Sequence, residues 1–489
     1  MPSMFTLLYI LLILFSVRTT ILEAAQANKS EIDRQALLCF KSGISSYPLG
    51  ILDSWSDDSL NFCGWKGVTC RTKFPPRVAS LNFNYARLSG KLSGCLGNLT
   101  FLSRMNLAYN NLSGTIPEEL GMLPNLHTLN LAGSYLQGNI PISLGASNSL
   151  SYVYLANNTL TGGIPLSLTD CSSLSTLILS RNNLSGKIPS TLFDNSSKLA
   201  VVDLQKNSFT GLIPRFHKVT ALKFLCLTEN FLSGNIPPSI GNVSSLTSIL
   251  LGQNKLSGLI PETIGHTTKL LELDLSFNSL SGSVPLSLYN MTSLKYFSVG
   301  TNALLGQIPS HIGYSLPNLH SLILGSNKLE GLIPASLANM LNLQILDLSN
   351  NSLHGSMPSL GSLANLRQLD LGRNLLEAHD WSFLTSLESC SQLTKLSLEG
   401  NALNGSLPIA VVNLSPTLED LSLASNQISG SIPVEISNLV NLTSLRMESN
   451  FLSGNIPSTI GKLQYLYIIS YQTTNYQVLS LPRLVTLLN

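Results

Sequence analysis

The side chains able to do chemistry in this 489-residue chain are few and scattered. The seven histidines lie in separate segments, and there is no phosphate loop, no His-Glu-x-x-His and no Cys-x-x-Cys pair. The acidic residues are dispersed. Asp274, Asp347 and Asp370 recur at one position of a repeated pattern, and none makes a carboxylate pair suited to glycoside hydrolysis. No catalytic centre, metal site or cofactor is therefore expected. Of the seven cysteines, Cys63 and Cys70 stand close together beside Trp65 in a turn-rich stretch. An oxidising compartment favours a local disulfide between them, whereas zinc would need two more nearby ligands. Cys39, Cys95, Cys171, Cys226 and Cys390 are each isolated and read as small buried hydrophobes.

Asparagine offers a different chemistry. Asn-x-Ser/Thr occurs at Asn98, Asn111, Asn157, Asn183, Asn195, Asn242, Asn290, Asn404 and Asn441, each a glycan acceptor if the chain is exported. The N-terminus predicts export. Phe5 to Val17 is apolar but shorter than the roughly 20 residues of a spanning helix. Ala24, Ala25 and Ala27 follow it, so residues 1–27 read as a secretory signal peptide. No segment past residue 30 is long and apolar enough to span a bilayer. The expected location is the secretory pathway and then the extracellular space or the plasma-membrane surface. Charged residues are only 11% and the net charge is +2, which removes the electrostatic footprint of a nucleic-acid binder. With 44% hydrophobic residues and about a fifth leucine, the chain has ample material for a core.

The elements that hold these residues repeat. Leu270 to Pro285 has the same skeleton as Leu102 to Pro117, Leu246 to Pro261 and Leu442 to Pro457. An asparagine recurs about every 24 residues, from Asn110 through Asn158, Asn182 and Asn207 to Asn426 and Asn450, with Ala86 and Ser134 in the same slot of two other copies. That makes 16 copies between residues 78 and 465. The segment L-x-x-L-x-L alternates with period two and predicts a short strand with one buried face. The asparagine after it can bond the backbone of the adjacent coil. The glycine of L-x-G allows a tight bend, and the Ile-Pro that follows stops helix and favours extended backbone. One coil cannot bury its own leucines, so the coils must stack.

This pattern, L-x-x-L-x-x-L-x-L-x-x-N-x-L-x-G-x-I-P, resembles the plant extracellular leucine-rich repeat. Asp33 to Lys41, Leu52 to Trp55 and Cys63 to Cys70 are similar to the N-terminal cap of plant receptor-like kinases. Ser30 fits an N-cap with Asp33 at N3, and Leu37, Leu38, Phe40 and Ile44 form an apolar stripe. The resemblance implies an α/β solenoid: a plant-type leucine-rich-repeat superhelix with a parallel concave sheet and an N-terminal helical disulfide cap. The expected layout is signal peptide 1–27, cap 28–77, about 16 repeats over 78–465 and a divergent tail 466–489. After Asn374 the usual Gly-x-Ile-Pro gives way to Leu375 to Leu384, and the next Asn slot, Asn401, comes 27 residues later. That variant resembles the pathogen-sensing subfamily, the group with the rice bacterial-blight receptor and the bacterial elongation-factor receptor. The family continues into a cysteine cap, membrane helix and kinase. Here the frame fades after Lys462, which predicts a chain without kinase chemistry.

The x positions of L-x-x-L-x-L face away from the leucines. One such column runs Arg104, Thr128, Tyr152, Thr176, Val201, Phe224, and its neighbour runs Asn106, Asn130, Tyr154, Ile178, Asp203, Cys226, Leu250. Tyr152, Tyr154, Ile178, Val201, Phe224 and Leu250 therefore predict an apolar ligand-binding patch, with Arg181, Asp203, Lys206 and Glu229 as its polar rim. The expected function is an extracellular recognition ectodomain of the receptor-like kinase type, in innate immunity or surface signalling. It would bind a peptide, protein or glycan and act with a co-receptor kinase that has its own leucine-rich-repeat ectodomain. The rival readings are a secreted inhibitor of microbial wall-degrading enzymes and a non-functional truncated receptor fragment.

Overall fold

The computed structural model describes residues 29–471, except 59, 60, 73, 195, 196 and 379. The signal segment at 1–27 and most of the tail from 466 lie outside these residues. The chain divides into two compact units, one up to Phe231 and one from Leu232.

In the first unit each coil opens with a short inner strand, five residues long at Val78–Asn82 and three in the coils that follow. Ser80, Arg104, Thr128, Tyr152, Thr176, Val201 and Phe224 pair in parallel register, one per coil. The coil that starts at Leu102 illustrates the rest. Leu102, Met105, Leu107, Leu112, Ile116 and Leu120 all point inward and are essentially inaccessible. Each fully buried side chain of this size contributes roughly 1.5–3 kcal/mol of transfer free energy, so stacking rather than any local interaction drives the fold. Asn110 follows the strand and is buried. Its amide donates to Phe83 O at 2.8 Å in the preceding coil and to Leu107 O at 2.8 Å in its own, and its oxygen accepts from Leu88 N at 2.9 Å. Asn158, Asn182 and Asn207 repeat this geometry, which gives the expected ladder. Ser134 keeps a single bond to Asn110 O at 3.2 Å.

Two features go beyond the sequence pattern. The L-x-G segment builds a second parallel sheet from Ser89–Lys91, Asn111–Thr115, Tyr135–Asn139 and Thr159–Thr161. Its glycines, such as Gly114 (φ 79°) and Gly138 (φ 75°), sit inside these strands in a conformation that a Cβ disfavours. The following proline is extended as expected, but it also starts a short 3₁₀ helix: Pro117 (φ −66°, ψ 138°) precedes Glu118–Met122.

The cap closes the free edges of both sheets. Val68–Cys70 pairs antiparallel with Val78–Asn82, and Ile44–Ser46 pairs antiparallel with Ser89–Lys91. Unpaired strand edges are the usual route to aggregation, so these two strands protect the first coil. The helix at 29–42 packs Phe40 against Trp55 and Phe83, all buried. Leu37 is buried and Leu38 half-buried, while Ile44 is not on the helix and belongs to the edge strand instead. Ser30 lies within the helix and bonds Pro76 O at 3.0 Å rather than capping its start. Asp33 is fully buried against Arg77 in a two-pronged ion pair at 2.7 and 3.0 Å, and it also accepts from Val78 N at 2.8 Å. Removing one partner of such a buried pair costs about 3–5 kcal/mol.

Cys63 and Cys70 form the expected disulfide. Cys39 and Cys95 are not isolated hydrophobes: they form a second disulfide that ties the cap helix to the turn after the first repeat. Spacing hides this pairing because the partners are 56 residues apart and meet only once the coil has closed. Cys171, Cys226 and Cys390 are free and buried.

In the second unit the inner strands run in register from Ser248 through Glu272, Tyr296, Ser321, Ile345, Gln368, Lys395, Asp420 and Ser444 to Ile468. The strand Ile468–Ser470 carries the sheet past residue 465, where the repeats were expected to end. The irregular repeat interrupts the outer sheet. Leu375–Glu377 ends one run, and Asn404–Ser406 begins another with Gln427–Gly430 and Phe451–Leu452. Between the two runs lies a short helix at Ser382–Ser386, whose first residue donates its N–H and hydroxyl to Asp380 Oδ1 at 3.0 and 2.9 Å, and the buried Trp381 donates its indole N–H to Asn404 O at 3.0 Å. The indole supplies a hydrogen bond at the place where the outer sheet is interrupted, while the asparagine ladder continues through Asn401.

Candidate functional site

The strand face of the first unit brings the predicted apolar residues together. Tyr152, Thr176, Val201 and Phe224 are neighbours in one column, and Tyr154, Ile178, Asp203 and Cys226 in the next. Tyr152, Tyr154, Ile178, Val201 and Phe224 are half-buried rather than open. Adjacent strands stand about 4.8 Å apart, so large side chains lean on one another. Tyr154 and Ile178 pack against a floor of buried alanines, Ala108, Ala132 and Ala156. His127 stands edge-on to Tyr152 with ring centres 5.2 Å apart. Cys226 is buried and adds nothing to the surface. Leu250 lies in Ser248–Leu250 of the second unit, where it is half-buried.

The polar rim has a conformational origin that the sequence does not reveal. Arg181, Lys206 and Glu229 each occupy the residue just before the ladder asparagine, and each has φ 55°. Tyr85, Tyr109 and Asn157 hold the equivalent place in other coils. A left-handed residue with a side chain costs about 1–2 kcal/mol. The turn persists because it aims the backbone N–H at the next coil: Arg181 N reaches Gln205 O at 2.8 Å and Lys206 N reaches Thr228 O at 2.9 Å. The consequence is that the side chain is projected outward along the border of the strand face. Lys206 and Glu229 approach to 4.0 Å there. Tyr85 and Tyr109, both exposed, stack in parallel with ring centres 4.5 Å apart. Asp203 belongs to the strand itself. It accepts from Ser180 Oγ at 2.7 Å and from Gln205 N at 3.1 Å.

The strand face of the second unit carries a different chemistry. A recess of about 280 Å³ is lined by Asp370, Arg373, Lys395, Glu399, Asp420 and Arg446 among others. Lys395 Nζ meets Asp370 Oδ2 at 3.0 Å, Arg373 meets Glu399 at 3.1 Å, and Arg446 stands 3.5 Å from Asp420 Oδ1. Burial pulls the Lys395 ammonium down, but Asp370, Asp420 and Asp347 outweigh it and hold the ammonium above its ordinary value. Burial, reinforced by Asp370, pushes the Asp347 carboxyl up. Reading columns one at a time misses this cluster, because its contacts run diagonally between strands 23–26 residues apart. The column Asp274, Asp347, Asp370 has a local role at its first two members. Asp274 and Asp347 each accept from the serine two residues on, at 2.6 Å from Oγ and 2.9 Å from N.

The sequon asparagines Asn98, Asn111, Asn157, Asn183, Asn242, Asn290, Asn404 and Asn441 are all exposed. Asn195 lies outside the described residues. The Asn441 amide already donates to Pro416 O at 2.8 Å. Among the described residues no group of three or more His, Cys, Asp or Glu could hold a metal ion. Among them too, no helix is long and apolar enough to cross a membrane.

Known proteins place this geometry. The leucine rich repeat N-terminal domain model matches residues 30–71. Leucine-rich-repeat models match 317–376 and seven segments between 101 and 463. The receptor-like serine/threonine-protein kinase EFR of Arabidopsis thaliana is 43% identical over 95 residues, which are 18% of this chain and 9% of the kinase. The crystal structure of PEPR1 with AtPEP1 superposes with a TM-score of 0.79 at 33% identity, over 90% of this chain and 65% of that one. The Arabidopsis receptor kinase HAESA, solved with the peptide hormone IDA and the co-receptor SERK1, gives a TM-score of 0.62 at 28% identity, over 91% of this chain and 89% of that one. The match to the curated kinase is thus confined to a small part of its length.

Proposed function

From the premise that the chain belongs to the family of plant leucine-rich-repeat receptor-like kinase ectodomains, we propose that it is an extracellular recognition module for a peptide ligand. The ligand lies across the inner strands of the first unit. The observation that carries this reading is the in-register run Tyr152, Tyr154, Ile178, Val201 and Phe224: half-buried, seated on an alanine floor and bordered by Arg181, Asp203, Lys206 and Glu229. Half-buried aromatic side chains on a rigid sheet lose little conformational freedom when they are covered, so their remaining area converts efficiently into affinity. The side chains at the left-handed turns sit where a ligand's polar groups leave the apolar strip, and they set its register. Leu250, in the second unit, carries an apolar side chain at the equivalent position of its own strand.

The resemblance to the pathogen-sensing kinases, together with the EFR similarity, supports a role in plant defence or surface signalling. HAESA, crystallised with a co-receptor, supports a second leucine-rich-repeat kinase as partner for the bound state. The exposed sequons and the two cap disulfides support passage through the secretory pathway.

The test is binding of microbial elicitor peptides to the purified ectodomain, with Tyr152→Ala and Phe224→Ala measured beside the parent. Each truncation is expected to weaken binding about tenfold or more. Unchanged affinity in both variants removes this patch from the ligand site.

A further inference from the structure

The first three inner strands each end in asparagine, and Asn82, Asn106 and Asn130 are register partners. Asn106 Oδ1 accepts from Ala108 N at 3.3 Å and Asn130 Oδ1 from Ala132 N at 3.2 Å. Only the amide oxygen can meet a backbone N–H, so the NH₂ group of each side chain is left over as a donor. Among the described residues neither NH₂ group has a partner, and both asparagines are half-buried rather than enclosed. Later strands use a carboxylate for the same backbone bond. Asp203, Asp274 and Asp347 accept from Gln205 N, Ser276 N and Ser349 N. The strand end is thus closed in one way throughout, while the group left over changes from a donor in the first coils to an acceptor further on.

The charge around these amides is of one sign. Arg104 begins the strand that Asn106 ends and lies on the same face. It is exposed, and among the described residues its guanidinium makes no ion pair or hydrogen bond. Between Ser59 and Pro117 the chain has seven Lys and Arg and no Asp or Glu. The next acids, Glu118 and Glu119, belong to the 3₁₀ helix, where Glu118 accepts from Ser143 Oγ at 2.6 Å and the Glu119 carboxylate fills the space a Cβ on Gly94 would take. Along the asparagine column the first carboxylate is Asp203, three strands beyond Asn130. Such a face suits a group that only accepts, and a carboxylate does so with charge-assisted bonds. We infer that the first coils hold the carboxylate of an acidic residue in the peptide ligand, received between the amides of Asn106 and Asn130 and reached by the Arg104 guanidinium. The apolar strip begins on the very next strand, at Tyr152 and Tyr154. One occupant therefore carries both kinds of group, which a peptide does and an acidic saccharide does not. Strands stand about 4.8 Å apart and an extended chain advances about 3.3 Å per residue, so the acidic residue lies about two positions from the ligand's first apolar one. This inference rests on the reading of the strand face as a peptide site and deepens it by requiring an acidic end in the ligand.

The probes are fluorescein-labelled Glu-Gly-Leu-Ala-Phe-Gly-Leu, the same residues in reverse order, and the counterparts of both with Gln or Lys in place of Glu. Their binding to the purified ectodomain is followed by fluorescence anisotropy. In at least one order the Glu peptide is expected to bind about tenfold more tightly than the Gln peptide, with the preference shrinking between about 0.05 and 0.5 M salt. The decisive variant carries Asn106→Asp and Asn130→Asp together. It keeps the backbone bonds, as Asp347 and Asp370 do side by side in the same register, so its melting curve is expected to match the parent's. Its preference is expected to pass from the Glu to the Lys peptide. Arg104→Gln is expected to reduce the preference severalfold and flatten its salt dependence. Phe224→Ala is expected to weaken all the peptides by a similar factor and leave the Glu-to-Gln ratio unchanged. Equal binding of Glu, Gln and Lys peptides, or a preference for Glu that survives the double variant, overturns the inference. If binding is equal and still falls with Phe224→Ala, the acidic requirement is wrong and the peptide site stands. If no peptide binds, the peptide reading fails together with it. Trigalacturonic acid binding that the double variant abolishes, with no peptide bound, assigns the face to an acidic saccharide and overturns the inference as well.

Discussion

The strand faces of the two units are built on one backbone and present opposite chemistry. In the first unit Tyr152, Tyr154, Ile178, Val201 and Phe224 lean on alanines. In the second, Asp370, Lys395, Asp420 and Arg446 hold one another by charge. Both use the same ladder: the Asn158 amide reaches Leu131 O at 2.9 Å, and the Asn374 amide reaches Leu348 O at 3.0 Å. The leucines and asparagines fix the coil, which leaves the x positions to set the chemistry of each face. An apolar face responds to truncation but little to pH or salt, whereas an ion-paired face responds to both.

Three measurements would break or sharpen that contrast. The largest effect is expected at the cap, which belongs to the first unit alone. Closing 56 residues with Cys39–Cys95 restrains the unfolded chain more than closing seven with Cys63–Cys70. Cys39→Ser is expected to cost about 4 kcal/mol and Cys63→Ser about 2 kcal/mol in urea denaturation. Equal costs would mean that cap strain, and not loop length, dominates. The next effect tests the shared scaffold. Asn158→Ala and Asn374→Ala are each expected to lose about 1–3 kcal/mol, because each leaves buried backbone groups unpaired. Ser134→Ala is expected to lose under about 1 kcal/mol, since only one bond is removed. A clear difference between Asn158 and Asn374 would show that the units differ in scaffold as well as in surface.

The smallest effect concerns pH. The Asp347 carboxyl is raised, first by burial and then by Asp370, so its ionised form opposes folding at neutral pH. Lowering the pH through its folded value removes that opposition. Asp347→Asn keeps an oxygen for the Ser349 bonds and is expected to match or slightly exceed the parent's stability at pH 7, with the difference vanishing in acid. A variant less stable at pH 7 than at pH 4, relative to the parent, would contradict this. At the cap the sign is reversed. Hydrogen bonds from Arg34 and then Gln35 hold Glu31 at about 2, so its contribution is present above pH 4.5 and is lost as the pH falls towards 2.

How much of this was legible in the sequence varies by residue. The ladder was, because Asn110, Asn158 and their equivalents recur in phase with the leucines. The strand columns were too, since period two fixes which of Tyr152, Val153 and Tyr154 face away from the core. The left-handed turns were not. Their residues include Tyr, Asn, Arg, Lys and Glu, and the conformation is imposed by hydrogen bonds to the next coil rather than by residue type. The second sheet was missed because Gly114 and its counterparts read as bends. Cys39–Cys95 and Lys395–Asp370 were missed for one shared reason: each joins residues of different coils, and no spacing rule within a single repeat reports on such pairs.

The ladder also has a direction. Asn110 bonds Phe83 and Leu88, and Asn374 bonds Leu348 and Leu353: every such amide reaches back to the coil made before it. A newly made coil therefore finds the acceptors of its asparagine amide already in place, while the N–H groups of its left-handed turn are satisfied only by the coil that follows. At about 5–20 residues per second, one 24-residue coil emerges every ~1–5 s, far slower than a strand can pair. The cap, synthesised first, serves as the template, and assembly proceeds as layer-by-layer growth from a seeded end.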